Sequence, residues 1–223
     1  MLDFKTELHC HTGESSICGK VMAEDVVKAY IREGYSTLVI TDHYGHRHIG
    51  RFGEVNEPEH FLCGYHAAQK AAEGKINVIL GMEISLSDYP ANDYLIFGDV
   101  EYALINEPKL YRFGLPEFCE FAHSYNLMVF QAHPFRNEIT IVDPSHLDGI
   151  EGFNSHPRHD SRNSIALNWA EMFGKKAIAG SDAHQPQDFA RSGIVTQTEI
   201  TDSKVLLSVL KNGSYELILT DQL

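Results

Sequence analysis

The stretch that decides the fold lies at the start of the chain, where residues 4–11 are FKTELHCH. Side chains two residues apart in a strand point to the same face, so His9 and His11 share one face and Cys10 points to the other. Neutral imidazole nitrogen is a common ligand of zinc and related ions. A lone His-x-His pair is equally compatible with one packed and one surface histidine. The rest of the chain must therefore decide whether this pair binds a metal.

Apolar strands alternate with helical patterns along most of the chain. Strands are predicted at 37–43, 77–85, 94–97, 127–133, 149–154 and 176–184, with a terminal pair at 194–200 and 215–220. Helices are predicted between residue 23 and Gly34, and at 58–73, 115–125, 162–173 and 203–211. This alternation implies parallel βαβ units and favours an α/β barrel over an open sheet. With 223 residues and no evident linker, the chain is expected to form one domain, residues 1–223.

The composition limits the classes of partner. Eighteen basic residues against 31 acidic ones give a formal charge of −13, which argues against a broad groove for duplex nucleic acid. Small anionic substrates remain compatible, because bound cations reverse the local field in a pocket. The four cysteines form no C-x-x-C pair. There is no leading hydrophobic segment and no apolar run of about 18 residues, so we expect a cytoplasmic protein that does not enter a membrane.

Residue types that bind metals stand at the ends of the predicted strands. They are His9, His11, Asp42, His43, Glu83, His133, Asn154, Asp182 and His184. In α/β barrels the carboxyl ends of the strands form the edge at which active sites are built. Histidines and carboxylates that cluster at such an edge are typical of a functional site. The pattern therefore predicts that the pair at 9 and 11 belongs to a metal centre.

The ordered motifs resemble the PHP (polymerase and histidinol phosphatase) superfamily of metal-dependent phosphoesterases. They are His9-Cys-His11-Thr12, Ile40-Thr-Asp-His43, Gly81-Met-Glu83, Ala132-His-Pro-Phe135, Phe153-Asn154 and Gly180-Ser-Asp-Ala-His184. The resemblance extends from about residue 4 to 192. It implies a distorted (βα)7 TIM-like barrel with two to three divalent metal ions, which would be Mn, Fe or Zn.

The resemblance also implies which residues hold the metals. The first site would take His9, His11, Glu83 and Asp182, the second would share Glu83 and add His133, and the third would take His43 and His184. A carboxylate can bridge two cations whereas a histidine cannot, which agrees with Glu83 as the shared ligand.

Two positions depart from the superfamily pattern. Asp93 stands where many members have a histidine at the start of the fourth strand; as a second-site ligand it would favour manganese or iron(II) weakly over zinc, and otherwise it is an ordinary turn residue. In the superfamily, the loop after the first strand often supplies a His or Asp ligand to the third metal. Glu14 is the first candidate there, followed by Ser16 and Cys18, and the alternative is a solvated glutamate.

The expected activity is hydrolysis of a phosphate ester. The expected substrate is a small phosphorylated metabolite or nucleotide. Hydroxide formed from a water shared by the metals would attack phosphorus, and the metals would neutralise the phosphoryl oxygens. His43 or His184, if not fully committed to a metal, could pass a proton to the leaving oxygen. The alternatives are a metal-dependent hydrolase of C–N bonds and a metal-binding regulatory module without turnover. A polymerase-associated exonuclease is disfavoured by the short chain and its acidity.

Arginines are scarce, so their positions help to predict the substrate contacts. Arg136 is the first candidate for a phosphate clamp, ahead of Arg158 and Arg191, because a guanidinium binds phosphate as a planar fork. A surface salt bridge is the alternative for each arginine. Further residues expected at the mouth are Asn154, His46, His48, His156 and His159. Any cap over the substrate would come from loops 44–60, 99–114 and 135–146.

Overall fold

Two β-sheets hold the strands in the computed structural model, which describes residues 3–45 and 57–220. The strands are β1 (Phe4–Glu7), β2 (Tyr35–Ile40), β3 (His43–Tyr44), β4 (Asn77–Leu80), β5 (Met82–Ile84), β6 (Tyr94–Phe97), β7 (Met128–Gln131), β8 (Gly149–Asn154), β9 (Lys176–Gly180), β10 (Gly193–Thr196) and β11 (Glu216–Ile218). One sheet has the order β11-β10-β1-β2-β4, and the other has the order β3-β5-β6-β7-β8-β9.

The two sheets meet where the chain passes from one to the other. β2 is followed closely by β3, and β4 leads through Gly81 into β5. A Cβ at Gly81 would lie 2.9 Å from the side chains of Thr41 and Val39, so only glycine fits at this crossing. A single parallel bridge, between Cys10 and Ala183, links the segments that follow β1 and β9.

The strands within the described ranges do not form a closed sheet, so the expected (βα)7 barrel is not confirmed. The architecture shown is a mixed α/β fold with two sheets. The expected parallel pairing holds for β1 with β2, β2 with β4, β7 with β8 and β8 with β9. It does not hold for β6, which pairs antiparallel with both β5 and β7, or for β10, which pairs antiparallel with β1 and β11. The short connection between β5 and β6 contains no helix and reverses the chain. This reversal brings the start of β6, with Asp93 before it, to the edge where β5 ends.

Six α-helices lie in the described part of the chain. They are α1 (Ala23–Arg32), α2 (Glu57–Ala72), α3 (Val100–Asn106), α4 (Leu115–Ser124), α5 (Asn163–Met172) and α6 (Ser203–Asn212). The five predicted helices correspond to α1, α2, α4, α5 and α6. None of the helices in residues 3–45 and 57–220 has the length and apolar character needed to cross a bilayer. Of the three candidate capping loops, 99–114 contains α3, and most of 44–60 lies outside the described residues.

The helices bury apolar faces against the sheets. Val26 and Tyr30 of α1 pack with Leu38 of β2, and all three side chains are fully buried. Leu206 and Leu210 of α6 pack in a second cluster of buried apolar side chains. Burial of such side chains contributes about 1.5–3 kcal/mol each. This packing leaves the edge where β1, β5 and β9 end for polar side chains.

Candidate metal centre

His9 and His11 stand side by side at the end of β1. The backbone stays extended there, because the His11 N–H donates to the Ala183 carbonyl at 3.0 Å and the Ala183 N–H donates to the His9 carbonyl at 3.3 Å. The two imidazoles therefore share a face, as predicted. Cys10 points to the opposite side and packs in the core beneath α1. Both imidazoles are almost completely buried, at 0 and 1% exposure.

Glu83 lies at the centre of the histidine cluster. Its Oε1 lies 3.3 Å from His9 Nε2 and 3.1 Å from His133 Nε2. Its Oε2 lies 3.3 Å from His11 Nε2 and 2.8 Å from His43 Nδ1. Each carboxylate oxygen thus faces a different pair of imidazoles, so Glu83 contacts all four of these histidines.

Asp182 closes the cluster opposite Glu83. Its Oδ1 lies 3.4 Å from Nε2 of both His9 and His11, and 3.5 Å from Nδ1 of His184. Asp182 has a φ of 51°, and His133 has a φ of 31°, in the left-handed region that residues other than glycine seldom occupy. Such backbone conformations cost about 1–3 kcal/mol and persist mainly where the surroundings hold them, often at functional sites.

Asp93 joins the side of the cluster near His133. One ligand atom each from Glu83, Asp93 and His133 lies within 4.8 Å of the others. The Asp93 carboxylate is also held by the Ser85 hydroxyl, which donates to Oδ1 at 2.7 Å. The structure therefore brings Asp93 close to Glu83 and His133, the residues with which the sequence grouped it.

A third group lies on the other side of His11. The imidazoles of His11, His43 and His184 offer ligand atoms within 4.8 Å of one another. The ring centroid of His11 is 4.4 Å from that of His43 and 4.3 Å from that of His184. The Cys18 side chain contacts both His43 and His184. Although burial opposes ionisation, these two contacts lower the pKa of Cys18 to about 6.

Glu14 and Ser16 lie differently from Cys18. Both carboxylate oxygens of Glu14 accept from the Ala23 N–H, at 3.0 and 2.9 Å, so this side chain caps the start of α1. Ser16 donates its hydroxyl to Asp42 Oδ1 at 2.6 Å. Neither Glu14 nor Cys18 belongs to the groups of mutually close ligand atoms found among the described residues, although Cys18 lines the cavity beside them. The structure places Cys18, the last of the three sequence candidates, next to the third group.

The buried charges explain the pKa shifts in the cluster. Burial opposes ionisation of Glu83, but the neighbouring His43 and His9 hold its pKa well below the usual range. Burial likewise opposes protonation of His9, yet the carboxylates of Glu151, Asp182 and Glu83 raise its pKa well above the ordinary value. The pKa of His11 is well below its ordinary value, through burial and the nearby His184 and His43.

Glu151 is a functional candidate that sequence reasoning missed. It is buried in β8, and its Oε1 lies 2.9 Å from His9 Nδ1. Its Oε2 accepts from the His133 N–H at 3.0 Å and from Asn154 Nδ2 at 2.8 Å. A metal-binding histidine almost always donates its second nitrogen to such a partner. The signal in the sequence was an acidic residue inside an otherwise apolar strand.

The predicted substrate residues fall into different places. Arg136 Nη2 donates to both Asn154 Oδ1 and Asp182 Oδ2 at 2.6 Å. Arg158 makes a two-pronged ion pair with Asp188, with both distances 2.7 Å. Arg191 donates through Nε to the Ser155 carbonyl at 3.3 Å, and it is not among the described residues that line the cavity beside the histidine cluster. Asn154 is fully buried beneath that cavity.

A cavity of about 390 Å³ opens beside the cluster. Its lining includes Cys18, Lys20, His43, Glu83, Asp93, His133, Arg136, His156, Arg158, His159, Asp182 and His184. His156 and His159 therefore lie where the sequence placed them. His46 and His48, also expected at the mouth, lie outside the described residues.

The donor atoms of the cluster fit divalent metal ions. Nε2 of His9, both ring nitrogens of His11 and Oε2 of Glu83 are buried and, apart from the ion-pair contacts within the cluster itself, have no hydrogen-bond partner among the described residues. Buried polar atoms are normally paired, so such a convergent set is unusual. Imidazole nitrogen and carboxylate oxygen are the donors that zinc, iron and manganese accept.

Comparison with known families agrees with this geometry. The sequence model of the PHP domain matches residues 7–215. The chain belongs to the PHP domain family. No functionally curated protein matches the sequence.

Three solved structures share the fold of this PHP domain. A two-domain protein from Bacteroides vulgatus containing a predicted PHP-like metal-dependent phosphoesterase has a TM-score of 0.72 at 19% identity, with 97% of this chain and 64% of that chain covered. PsfC from Pseudomonas syringae gives 0.70 at 14%, with 100% and 93% covered. The lesion-specific endonuclease PfuEndoQ from Pyrococcus furiosus gives 0.67 at 14%, with 98% and 58% covered. The PHP domain thus spans less than two thirds of the first and third of these proteins.

Proposed function

We propose that this PHP domain hydrolyses phosphate esters of small molecules with two to three divalent metal ions. The observation that carries the proposal is the composition of the cavity. Its lining combines the ligand cluster with three cationic side chains, Lys20, Arg136 and Arg158. Cationic groups beside a metal cluster suit a phosphoryl group, because phosphate carries its charge on several oxygens. A volume of about 390 Å³ lies within the range typical of small-molecule sites.

The ligand sets follow the three groups in the cluster. His9, His11, Glu83 and Asp182 would hold the first ion, Glu83, Asp93 and His133 the second, and His43 and His184 the third. When bound, divalent ions make water acidic enough to serve as a nucleophile near neutral pH and neutralise charge on phosphoryl oxygens.

The protein side chains would orient the substrate and move the proton. Arg136 is 13% exposed at the cavity wall; its Nη2 pairs with Asn154 and Asp182, and the remaining N–H groups of its guanidinium would bind phosphoryl oxygens. Arg158 is already paired with Asp188, so its contribution is a fixed positive charge near the mouth. His43 and His184 are 12 and 15% exposed, whereas His9 is fully buried. Either of these two partly exposed imidazoles, where it is not committed to a metal ion, is therefore a candidate to protonate the leaving oxygen.

The first test combines metal content with turnover. His9→Ala and Asp182→Asn should each lose bound metal and hydrolysis of p-nitrophenyl phosphate, while circular dichroism shows a folded protein, because each removes a buried ligand. His123→Ala is the matched control, since that imidazole is about half exposed and pairs with Asp148 on the surface. Unchanged metal content and turnover in both site variants would place the activity elsewhere.

Arg136→Ala tests the phosphate clamp. Loss of a charge-assisted hydrogen bond costs about 1.5–3 kcal/mol, so kcat/KM for a phosphomonoester should fall roughly 10- to 100-fold, mainly through KM. Arg32→Ala, at an exposed end of α1, is the control. Metal content must be measured alongside, because Arg136 also contacts Asp182. An effect on diesters alone would show that another group binds the monoester.

A substrate panel separates the remaining candidates. Phosphorylated metabolites and nucleotides should be hydrolysed with Mn, Fe or Zn. Turnover of cyclic amides without any phosphoesterase activity would favour the C–N hydrolase. Metal binding without turnover of any substrate would favour a regulatory module. Cleavage of single-stranded DNA is tested in the same panel, because an endonuclease shares this fold.

A further inference from the structure

We propose that Cys18 supplies a thiolate ligand to the metal ion held by His43 and His184, so that this third site prefers zinc over manganese. The inference rests on the proposed metal centre and specifies one of its sites. It replaces the carboxylate that the sequence favoured with a sulfur atom from the same loop.

The loop that carries Cys18 is held in one position against the cluster. The Gly19 N–H donates to the Ser16 carbonyl at 2.9 Å, and the Lys20 N–H donates to the His184 carbonyl at 2.7 Å. A Cβ at Gly19 would lie 2.4 Å from the Thr12 carbonyl oxygen, so the turn is too tight for any residue but glycine. These contacts fix Gly19 against Ser16 in the same loop and fix Lys20 against the backbone of His184, a proposed metal ligand.

Asp42 anchors the other part of the same loop. Its Oδ1 accepts from the Thr12 N–H at 2.8 Å and from the Ser16 hydroxyl at 2.6 Å, and its Oδ2 accepts from the Thr12 hydroxyl at 2.6 Å. The Ser16 hydroxyl oxygen in turn accepts from the His43 N–H at 3.1 Å. The loop is therefore fastened to the strand end that carries His43. The loop that carries Cys18 thus contacts the backbone of His43 through Ser16 and the backbone of His184 through Lys20.

A second observation identifies this place as a ligand site. His11 is 1% exposed, and its Nδ1 has no hydrogen-bond partner in the described residues, whereas its Nε2 faces Glu83 and Asp182 at 3.3 and 3.4 Å. Its ring stacks at 4.4 Å on that of His43 and lies 4.3 Å from that of His184. The Cys18 thiol, which contacts His43 and His184 and lines the cavity, adds a soft donor beside these imidazoles.

The donor set determines the metal preference. Imidazole and thiolate suit zinc and cobalt, whereas manganese prefers carboxylate and water oxygens. Binding removes the thiol proton to solvent, since the thiolate is the ligand form. Glu14, the carboxylate that would have favoured manganese, is occupied at the N-terminus of α1.

Cobalt substitution gives the direct test. The metal-free protein loaded with Co²⁺ should show a near-ultraviolet sulfur-to-cobalt charge-transfer band. Cys18→Ser should lose the band and one equivalent of tightly bound cobalt, whereas Cys63→Ser, at an exposed cysteine on α2, should keep both. Cys18→Asp should bind cobalt without the band and shift the metal preference towards manganese. A band that persists in Cys18→Ser would overturn the proposal.

Alkylation of the wild-type chain gives a test that needs no variant. Zn²⁺ should protect Cys18 from iodoacetamide, as measured by peptide mass spectrometry, and should leave labelling of Cys63 unchanged. Equal labelling of Cys18 with and without zinc would overturn the proposal. Cobalt bound by the wild type without the band would overturn the thiolate ligand while the proposed phosphoesterase centre stands. Failure of the wild type to bind any metal would overturn both.

Discussion

Glu151 shows how a single residue outside the ligand set can control the site. It contacts His9 through Nδ1 and the His133 backbone through N–H, so one carboxylate orients two proposed ligands. Hydrogen bonding of Nδ1 leaves Nε2 of His9 directed at Glu83 and Asp182. Glu151 is therefore a positioning residue in our interpretation.

Glu151→Gln should weaken metal binding while the fold persists. Loss of such a partner typically costs 10- to 100-fold in metal affinity or activity, and we expect a loss of about that size here. Competition with a chromogenic chelator measures the affinity, and circular dichroism checks the fold. Glu171→Gln, at an exposed position on α5, should have no effect. Equal metal affinity in both variants would show that Glu151 is only structural.

Individual residues also show what strand-end reasoning can reach. His9, His11, Glu83, His133 and Asp182 were placed in one cluster from the sequence, because each follows an apolar strand and such ends meet at one edge. Glu151 could not be found that way, since it lies within a strand and its partner His9 is 142 residues away. Sequence reasoning also ranked Glu14 above Cys18 as the loop residue nearest the third group. It could not foresee that Glu14 caps α1, because that contact depends on where the helix starts.

At the scale of elements, helix α2 positions the loop that follows β1. The Gly64 N–H donates to the Ser15 hydroxyl oxygen at 2.8 Å, and that hydroxyl contacts the carbonyls of His60 and Phe61 at 3.0 Å. A Cβ at Gly64 would lie 2.0 Å from Thr12 Oγ1 and 2.4 Å from Asp42 Oδ2. The helix therefore packs directly on the loop and on its anchor.

Gly64→Ala should destabilise the protein although alanine favours helices. Intrinsic propensity alone predicts a gain of about 1 kcal/mol, whereas overpacking costs about 1–3 kcal/mol and should outweigh it. Urea unfolding measures the free energy, and Cys63→Ala on the same helix should be nearly neutral because that side chain is exposed. A more stable Gly64→Ala protein would mean that α2 does not press on the loop.

At the scale of the whole molecule, the centre joins segments from the entire chain. His9 and Asp182 approach to 3.4 Å although 172 intervening residues separate them in the sequence, and both sheets contribute ligands. A metal ion bound there would stabilise the folded chain, because the unfolded chain lacks the assembled site. Chelation should therefore affect global stability as well as activity.

Metal should raise the melting temperature of chelator-treated protein. A ligand at 100 times its Kd adds about 2.7 kcal/mol, which corresponds to roughly 5–10 °C for a chain of this size. Differential scanning calorimetry with Mn²⁺ and Zn²⁺ measures the shift. No shift with either ion, nor with Fe²⁺ under anaerobic conditions, would contradict the metal centre. His9→Ala is the control and should show a smaller shift.

The same shift should depend on pH with a definite sign. Carboxylate neighbours raise the pKa of His9 and His43 in the metal-free protein, against the effect of burial. These imidazoles must lose their protons to bind metal, so protons compete more strongly as pH falls. The metal-induced rise should therefore shrink between about pH 8 and about pH 6, with proton release detectable by calorimetry in buffers of different ionisation enthalpy. A rise that grows on acidification would contradict this account.

The sequence by itself predicted five of the six helices in the described residues, the strand ends and most of the side chains that cluster there, because hydrophobic period and residue chemistry are local properties of the sequence. Only the tertiary structure decided that the strands form two sheets with a reversed β6, and that Cys18 rather than Glu14 lies beside His43 and His184. Sheet closure depends on pairing between distant strands, and a loop side chain's partner depends on which helix terminus it meets first. A local sequence pattern therefore predicts neither sheet closure nor the partner of a loop side chain.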